Sequence, residues 1–349
     1  MKKNYLITGV TGFVGSSLCV ELLKEDSTSK IYVIVRSKGR STVEKRVEKA
    51  LSPFFEDFSW KEKVVVLEGD ITKKYLGLSH KDYEELCKNI NIIYHSAASI
   101  SFALPYEEAK LINCTSTENI VELIRNMKRQ QFERLNYIST AYIAGSIVKG
   151  FSEQDLSLGQ EFANTYGKTK YEAECYLDQL KQEIPITIFR PSFIGSHSKS
   201  GYIHKNSFLF KLISLFDRNK IKVMICDEEF NINVVPIDYF IEGMLALAKM
   251  PSSIGKRYHL VNNNNVCVRD YFSGMCQCLK VEPPIFLAEK EVEQEDTSMF
   301  RYIFHYCKAS HQFRNEETKK ALHHTNIICQ EVTPDYISKN IQFYQNNYK

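Results

Sequence analysis

A tyrosine followed four residues later by a lysine puts both side chains on one helix face, where the ammonium lowers the phenol's pKa and makes it a general acid or base. The sequence has this spacing twice among its 20 tyrosines, as Tyr106 with Lys110 and Tyr166 with Lys170. Context separates them. Tyr166-Gly167-Lys168-Thr169-Lys170 opens a long helical pattern. It follows Ile138-Ser139-Thr140, the end of an apolar run, at a separation suited to bringing the Thr140 hydroxyl to Tyr166. Tyr106 follows Pro105 in a loop and lacks such a partner. Thr140, Tyr166 and Lys170 are therefore the candidate catalytic residues.

The N-terminal run Asn4-Tyr5-Leu6-Ile7-Thr8 leads straight into Gly9, Gly12 and Gly15, with an amphipathic helix behind it. The three glycines meet different needs, with a sharp turn at Gly9, close approach of a pyrophosphate at Gly12, and helix-on-strand packing at Gly15. The helix N-terminus then offers free N–H groups and the positive end of its dipole to phosphate. The turn Thr8, Gly9, Thr11, Gly12, Phe13, Val14 and Gly15 is thus a candidate dinucleotide cradle. In NAD-selective sheets an acidic residue ends the second strand, whereas here Val33-Ile34-Val35 is followed by Arg36-Ser37-Lys38. A guanidinium suits a 2′-phosphate, so Arg36, assisted by Ser37 or Lys38, points to NADP(H). Asp70, after the third strand, reads either as an acceptor for the adenine amino group or as an ordinary turn aspartate.

These residues need strand ends to hold them. Apolar runs at Tyr5–Thr8, Ile31–Val35, Val64–Leu67, Ile92–His95, Leu135–Ser139 and Ile186–Phe189 alternate with helical patterns near 13–24, 41–51, 80–88, 107–129 and 164–182. This alternation predicts an α/β fold, a Rossmann-like doubly wound parallel sheet with ligands at the carboxyl ends of its strands. The expected division is a dinucleotide-binding domain over 1–195 and a smaller substrate-binding lobe over 196–349, with elements around 234–261 able to pack back on the sheet. Beyond Arg190-Pro191 the pattern predicts an aromatic-rich helix at Ser207–Phe216, a strand at Val234–Ile237, a helix at Tyr239–Lys249 and a strand at Tyr258–Val261. The apolar run from Phe208 to Phe216 could line an acyl tunnel or fill the lobe's core. Glu289–Asp296 reads as a solvated charged stretch.

Bulk properties narrow the partner. Forty-five basic residues against 42 acidic ones, with no basic tract, give no support to nucleic acid or a membrane surface. Ten cysteines lie almost all singly, without matched zinc spacing, and read as reduced, mostly buried thiols. His197, His204 and the pair His323-His324 lack ligand partners at useful spacing, so they read as surface or loop residues and no metal is predicted. Met1-Lys2-Lys3-Asn4 runs directly into the first strand, and no apolar run approaches a membrane span, so the reading is a cytoplasmic protein without signal peptide or membrane segment.

The glycine turn, Thr140, Tyr166 and Lys170 together resemble the extended short-chain dehydrogenase/reductase superfamily over about the first 260 residues. His95-Ser96-Ala97-Ala98, Asn113 and Arg190-Pro191-Ser192-Phe193-Ile194-Gly195 match it too. The resemblance implies cofactor contacts at Ser96, Ala97, Ala98 and Asn113, with Pro191, Ser192, Phe193 and Ile194 bordering the nicotinamide. Within the superfamily, Val35-Arg36-Ser37-Lys38 with Arg46 in the next helix, Gly69-Asp70-Ile71-Thr72 leading to Leu76-Gly77-Leu78-Ser79, and His95 to Phe102 resemble fatty acyl-CoA reductases and terminal thioester reductase domains. Asp70 and Ile71 join the implied cofactor contacts. That branch implies hydride delivery from NADPH to a thioester carbonyl, with Tyr166 and Thr140 stabilising and protonating the oxyanion. Collapse of the hemithioacetal then releases thiol and aldehyde. The chain lacks an adenylation or carrier domain, so its thioester is expected on a separate carrier protein or on coenzyme A. An aldehyde or ketone reductase, a sugar-nucleotide epimerase or dehydratase, and a noncatalytic NADP-binding sensor are the competing readings.

Overall fold

A computed structural model of the chain describes residues 3–25, 29–102, 104–225, 230–287 and 310–349, and Glu289–Asp296 lies outside them. The chain divides into two compact units, one of Met1–Ser139, Lys168–Phe189 and Ala248–Arg257, the other of Thr140–Gly167, Arg190–Leu247 and Tyr258–Lys349.

The first unit carries most of a seven-stranded sheet. Its strands are β1 (Tyr5–Thr8), β2 (Ile31–Val35), β3 (Val64–Glu68), β4 (Ile92–His95), β5 (Arg134–Ile138), β6 (Ile186–Pro191) and β7 (Arg257–Leu260), in the order β7-β6-β5-β4-β1-β2-β3. Strands β1 to β6 run parallel. The order reverses between β1 and β4, the place where doubly wound sheets open a crevice for a ligand. All five β2 residues are buried, so its run is apolar without alternation, as expected of a parallel strand covered on both faces. Leu6, Tyr32, Ile34, Ile93, Leu135 and Tyr137 share a core with Ile120, Leu123, Ala173 and Leu177 from the helices.

The helices are α1 (Phe13–Glu25), α2 (Val43–Leu51), α3 (His80–Asn89), α4 (Tyr106–Lys110), α5 (Ser116–Asn126) and α6 (Thr165–Gln179). Thr42 and Ser79 start α2 and α3 by accepting the N–H groups of Lys45 and Asp82. The single helix expected over 107–129 is interrupted: Leu111–Thr115 is π-helical and joins α4 to α5, which ends at Asn126 because Met127 turns extended. The strand expected at Tyr258–Val261 is β7, and it forms the sheet's edge beside β6. Of the eight described cysteines all are free; Cys19, Cys114 and Cys276 are buried and the other five only partly so, a smaller share than composition suggests.

In the second unit, Phe208–Asp217, Val268–Leu279 and Pro334–Tyr348 are helices, and Phe216 meets Phe272 at 5.3 Å between ring centres. Leu209, Leu212, Ile213 and Phe216 are buried, so this face of the aromatic helix is core. Strand Val234–Val235, two residues shorter than expected, pairs in parallel with Phe193–Ile194, and the next helix begins at Ile237. Arg190 is fully buried and donates to the carbonyls of Ser152 and Asp155 and to His259 Nε2. Glu153, also buried, accepts the N–H groups of His259, Glu317 and Thr318 together with the Thr318 hydroxyl. Four chain segments are thereby pinned at one polar knot.

Within the glycine turn the tightest packing is at Gly15, where a methyl group would stand 2.3 Å from the Gly9 carbonyl oxygen. Gly15→Ala is expected to lower unfolding free energy by about 3 kcal/mol or more. At Gly12 the same methyl would stand 3.3 Å from that oxygen. Gly12→Ala should therefore lose less, roughly 1 kcal/mol, in parallel denaturant titrations.

Candidate active site

The first unit supplies a cradle at the carboxyl ends of β1 and β4. Gly9 has φ +77°, and a Cβ there would come within 2.8 Å of the Ala97 nitrogen. Its carbonyl accepts the Gly12 N–H at 2.9 Å, which turns the chain into α1. Thr8 Oγ1 accepts the Ala97 N–H at 3.1 Å and lies 2.7 Å from His95 Nδ1. The Thr117 hydroxyl gives its proton to the Asn113 carbonyl, so across the 3.2 Å contact with His95 Nε2 it can only accept. His95 is neutral, its pKa lowered to about 3 by burial and by the charge of Lys170. The consistent assignment is a proton on Nε2, with Nδ1 accepting from Thr8. This chain of bonds fixes the Ser96-Ala97-Ala98 turn against the glycine turn.

Asn113, in the π-helical segment, is equally committed. Its Oδ1 accepts the Ser99 N–H at 2.8 Å, and its Nδ2 donates to the Ser99 carbonyl and to Thr169 Oγ1. It anchors a loop to the residue beside Lys170. Asp70 Oδ1 accepts both the N–H and the hydroxyl of Thr72, an Asx turn of the kind the ordinary reading describes. Ile71 presents its carbonyl to Asn119 Nδ2 at 2.8 Å.

Arg36, Ser37 and Lys38 are exposed beyond β2. Arg46 joins them: its guanidinium donates to the Arg36 carbonyl and, at 3.5 Å, to Thr11 Oγ1 in the glycine turn. Burial and the Arg36 charge both hold the Arg46 pKa below its usual value. The two positive charges repel one another. Sequence reasoning noted Arg46 as a feature of the branch, in the helix after the basic stretch, without giving it a cofactor contact. The available signal was its place one turn after the Thr42 cap, which aims it back at the strand end.

Lys170 is 2 % exposed and donates to Tyr137 Oη at 2.7 Å and to the Ile138 carbonyl at 2.6 Å. Burial lowers its pKa to about 7, with Glu174 and Cys114 opposing. Tyr137 was not foreseen, because a tyrosine inside a β-strand looks like core. The rival pair is of another kind: Tyr106 Oη donates to Glu172 at 2.9 Å, and burial followed by that carboxylate raises its pKa to about 12.

In the second unit, Thr140 Oγ1 accepts the Tyr142 N–H and donates to the Pro191 carbonyl, each at 3.3 Å. Desolvation raises the Tyr166 phenol to about 12, and a side-chain hydrogen bond with Thr140 opposes the rise. The lowering expected from Lys170 is not among the causes acting on Tyr166. The ammonium serves Tyr137 and Ile138, and desolvation outweighs the help from Thr140. Ser192 Oγ is buried and has no hydrogen-bond partner among the described residues, a cost of about 1–3 kcal/mol that a polar ligand group would remove. Phe193 meets Phe208 edge-on at 5.7 Å, and Ile194 is held in register with Val235. The glycine cradle of the first unit fits the phosphates of a dinucleotide. Of the histidines read as peripheral, His323 and His324 are exposed, but His204 is buried, with Nδ1 accepting the Asn206 N–H and a pKa pulled down to about 4 by desolvation.

Three comparisons give this geometry a family. The nonribosomal peptide synthetase FrzA of a Cladobotryum species is 28% identical over 264 residues, covering 73% of this chain and 26% of that protein. Fatty acyl-CoA reductase 1 of Pongo abelii is 27% identical over 281 residues, covering 70% of this chain and 54% of that protein. The chain therefore spans about half or less of these relatives' length. The crystal structure of the terminal R domain from the myxalamid PKS-NRPS biosynthetic pathway superposes with a TM-score of 0.83 at 24% identity, covering 99% of this chain and 91% of that chain. The family model described as male sterility protein, an NAD-binding domain, matches residues 7–244. The chain belongs to that family, an oxidoreductase branch of the extended short-chain dehydrogenase/reductases that includes thioester reductases.

Proposed function

We propose that this chain is an NADP(H)-dependent reductase that converts an acyl thioester, presented on coenzyme A or on a carrier protein, to the aldehyde. The observation that carries the reading is the hydrogen bond between Thr140 and Tyr166 in a chain of the thioester reductase branch. A residue set made only to hold a dinucleotide has no need of a phenol kept beside a hydroxyl donor.

Nicotinamide, when bound, supplies the hydride that the thioester carbonyl takes up. The chain's own residues handle the proton. With a pKa near 12, Tyr166 is protonated throughout the neutral range and is the acid that gives its proton to the carbonyl oxygen. Thr140 orients that phenol, and turning its hydroxyl proton from the Pro191 carbonyl lets it stabilise the developing oxyanion. Lys170 contributes its ammonium when protonated, and Asn113 steadies the helix start that bears it through Thr169. Arg36 and Arg46, with Ser37 and Lys38 nearby, favour the 2′-phosphate of NADP(H). No helix among the described residues is long and apolar enough to cross a membrane.

The test is NADPH oxidation with acyl-CoA, acyl carrier protein and the matching aldehydes. Tyr166→Phe is expected to lower kcat with the thioester by about 10²- to 10⁴-fold while NADPH affinity, read by nicotinamide fluorescence, stays within twofold. Full activity in that variant, or turnover of aldehydes alone, would overturn the assignment. Arg46→Met should weaken NADPH binding by roughly tenfold or more and leave NADH binding nearly unchanged, since one charge-assisted bond is lost. Equal weakening of both cofactors would show that Arg46 only braces the turn.

A further inference from the structure

Lys170, Glu174 and Asp178 stand four residues apart on one stripe of α6, and Arg257 at the start of β7 crosses the end of that stripe. Glu174 is fully buried. Its Oε2 accepts the Ser139 hydroxyl at 2.7 Å and its Oε1 accepts Arg257 Nε at 3.1 Å, while Arg257 Nη2 donates to Asp178. A buried ion pair of this kind is weak as a device for stability, because desolvating both charges offsets most of their attraction. It does place one fixed negative charge a helical turn from the buried ammonium.

From this geometry, and resting on the catalytic reading of Lys170 above, we infer that Glu174 is a positioning residue, its pinned carboxylate keeping the Lys170 ammonium charged and aligned for the reaction.

The other groups that face Lys170 cannot do this. From β5 come the Tyr137 hydroxyl and the Ile138 carbonyl, which accept its hydrogen bonds without bearing charge. From β4 comes His95, neutral with its pKa near 3. From the π-helical segment comes Cys114, whose thiol is pushed up to about 12 and is protonated. Glu174 is the charged partner among those acting on Lys170, and its pull opposes the burial that lowers the lysine to about 7. Arg257 moderates that pull. A lysine is charged below its pKa, so losing Glu174 moves the loss of the ammonium to lower pH. Losing Arg257 moves it to higher pH.

The experiment is the pH profile of kcat/KM for acyl-thioester reduction between pH 6 and 9.5 in wild type, Glu174→Gln and Arg257→Gln. Folding is checked by thermal melting and cofactor binding by nicotinamide fluorescence. In Glu174→Gln the alkaline limb is expected about one pH unit lower, so that the rate falls roughly tenfold at pH 8 and less at pH 6. In Arg257→Gln the limb is expected to move upward, a direction that structural damage alone does not produce. Should one variant not fold, the other decides. A limb that stays in place in a folded, NADPH-binding variant overturns the inference. Lys170→Met is the control for the reading beneath it: wild-type rates there would overturn the catalytic role of Lys170 itself. A Lys170-dependent enzyme whose limb ignores Glu174 would lose only the present inference.

Discussion

An ammonium taken out of water has to find acceptors at once, and Lys170 finds them at the carboxyl end of β5. That requirement ties together more of the first unit than any single apolar contact. The Tyr137 hydroxyl must lie on the same side of the sheet as α6, which fixes the register of β5 between β4 and β6. Helix α6 must present Lys170 inward, so the stripe at 170 and 174 is polar yet buried, and it reaches water only at the half-buried Asp178. This explains why α6 lacks the clean amphipathic pattern of α2. The carboxylate at 174 then requires a cation, and β7 supplies it through Arg257. Burying one functional charge has shaped two strands and a helix.

The second unit solves a similar problem with different groups. Arg190 follows Phe189 at the end of β6 and is wholly buried, so its donors are taken by two carbonyls and a histidine nitrogen. His259 can accept from Arg190 only if its proton lies on Nδ1, the nitrogen that faces the Arg314 carbonyl at 2.6 Å. Desolvation, then the Arg190 charge, holds its pKa well below the usual range and keeps it in that neutral form. The consequence is a rigid base for Pro191 and Ser192.

What the sequence made legible follows from the range of each signal. The strands β1, β2 and β4 and the glycine turn were readable because their constraints are local: an apolar run, then small residues at fixed spacing. Gly15 shows why, since no side chain fits against the Gly9 carbonyl whatever the rest of the fold does. The π-helical segment around Asn113 was not readable, because it arises from distant hydrogen bonds to Ser99 and Thr169 and leaves the helical pattern intact. Arg46 was named in its helix, but its reach to Thr11, 35 residues earlier, was not readable. His204 looked peripheral because its burial comes from tertiary packing and not from its neighbours. The phenol of Tyr166 is the sharpest case: spacing alone argued for a lowered pKa, whereas desolvation acts in the opposite direction.

That reversal bears on the chemistry. A phenol lowered toward neutrality would suit a base that removes a proton, as in oxidising an alcohol. A phenol raised toward 12 keeps its proton and is suited to giving it away, which is what reduction of a carbonyl needs. A buried lysine near 7 is split between its charged and neutral forms at neutral pH, so small changes in its surroundings alter how much ammonium is present. The division of labour is therefore electrostatic. In the proposed reaction one group is held protonated as the acid, and a second is balanced so that neighbouring charges govern it. A strand-end hydroxyl, Thr140, joins the acid to the backbone. Spacing on a helix can place such groups, but the field around each of them decides which way a proton moves.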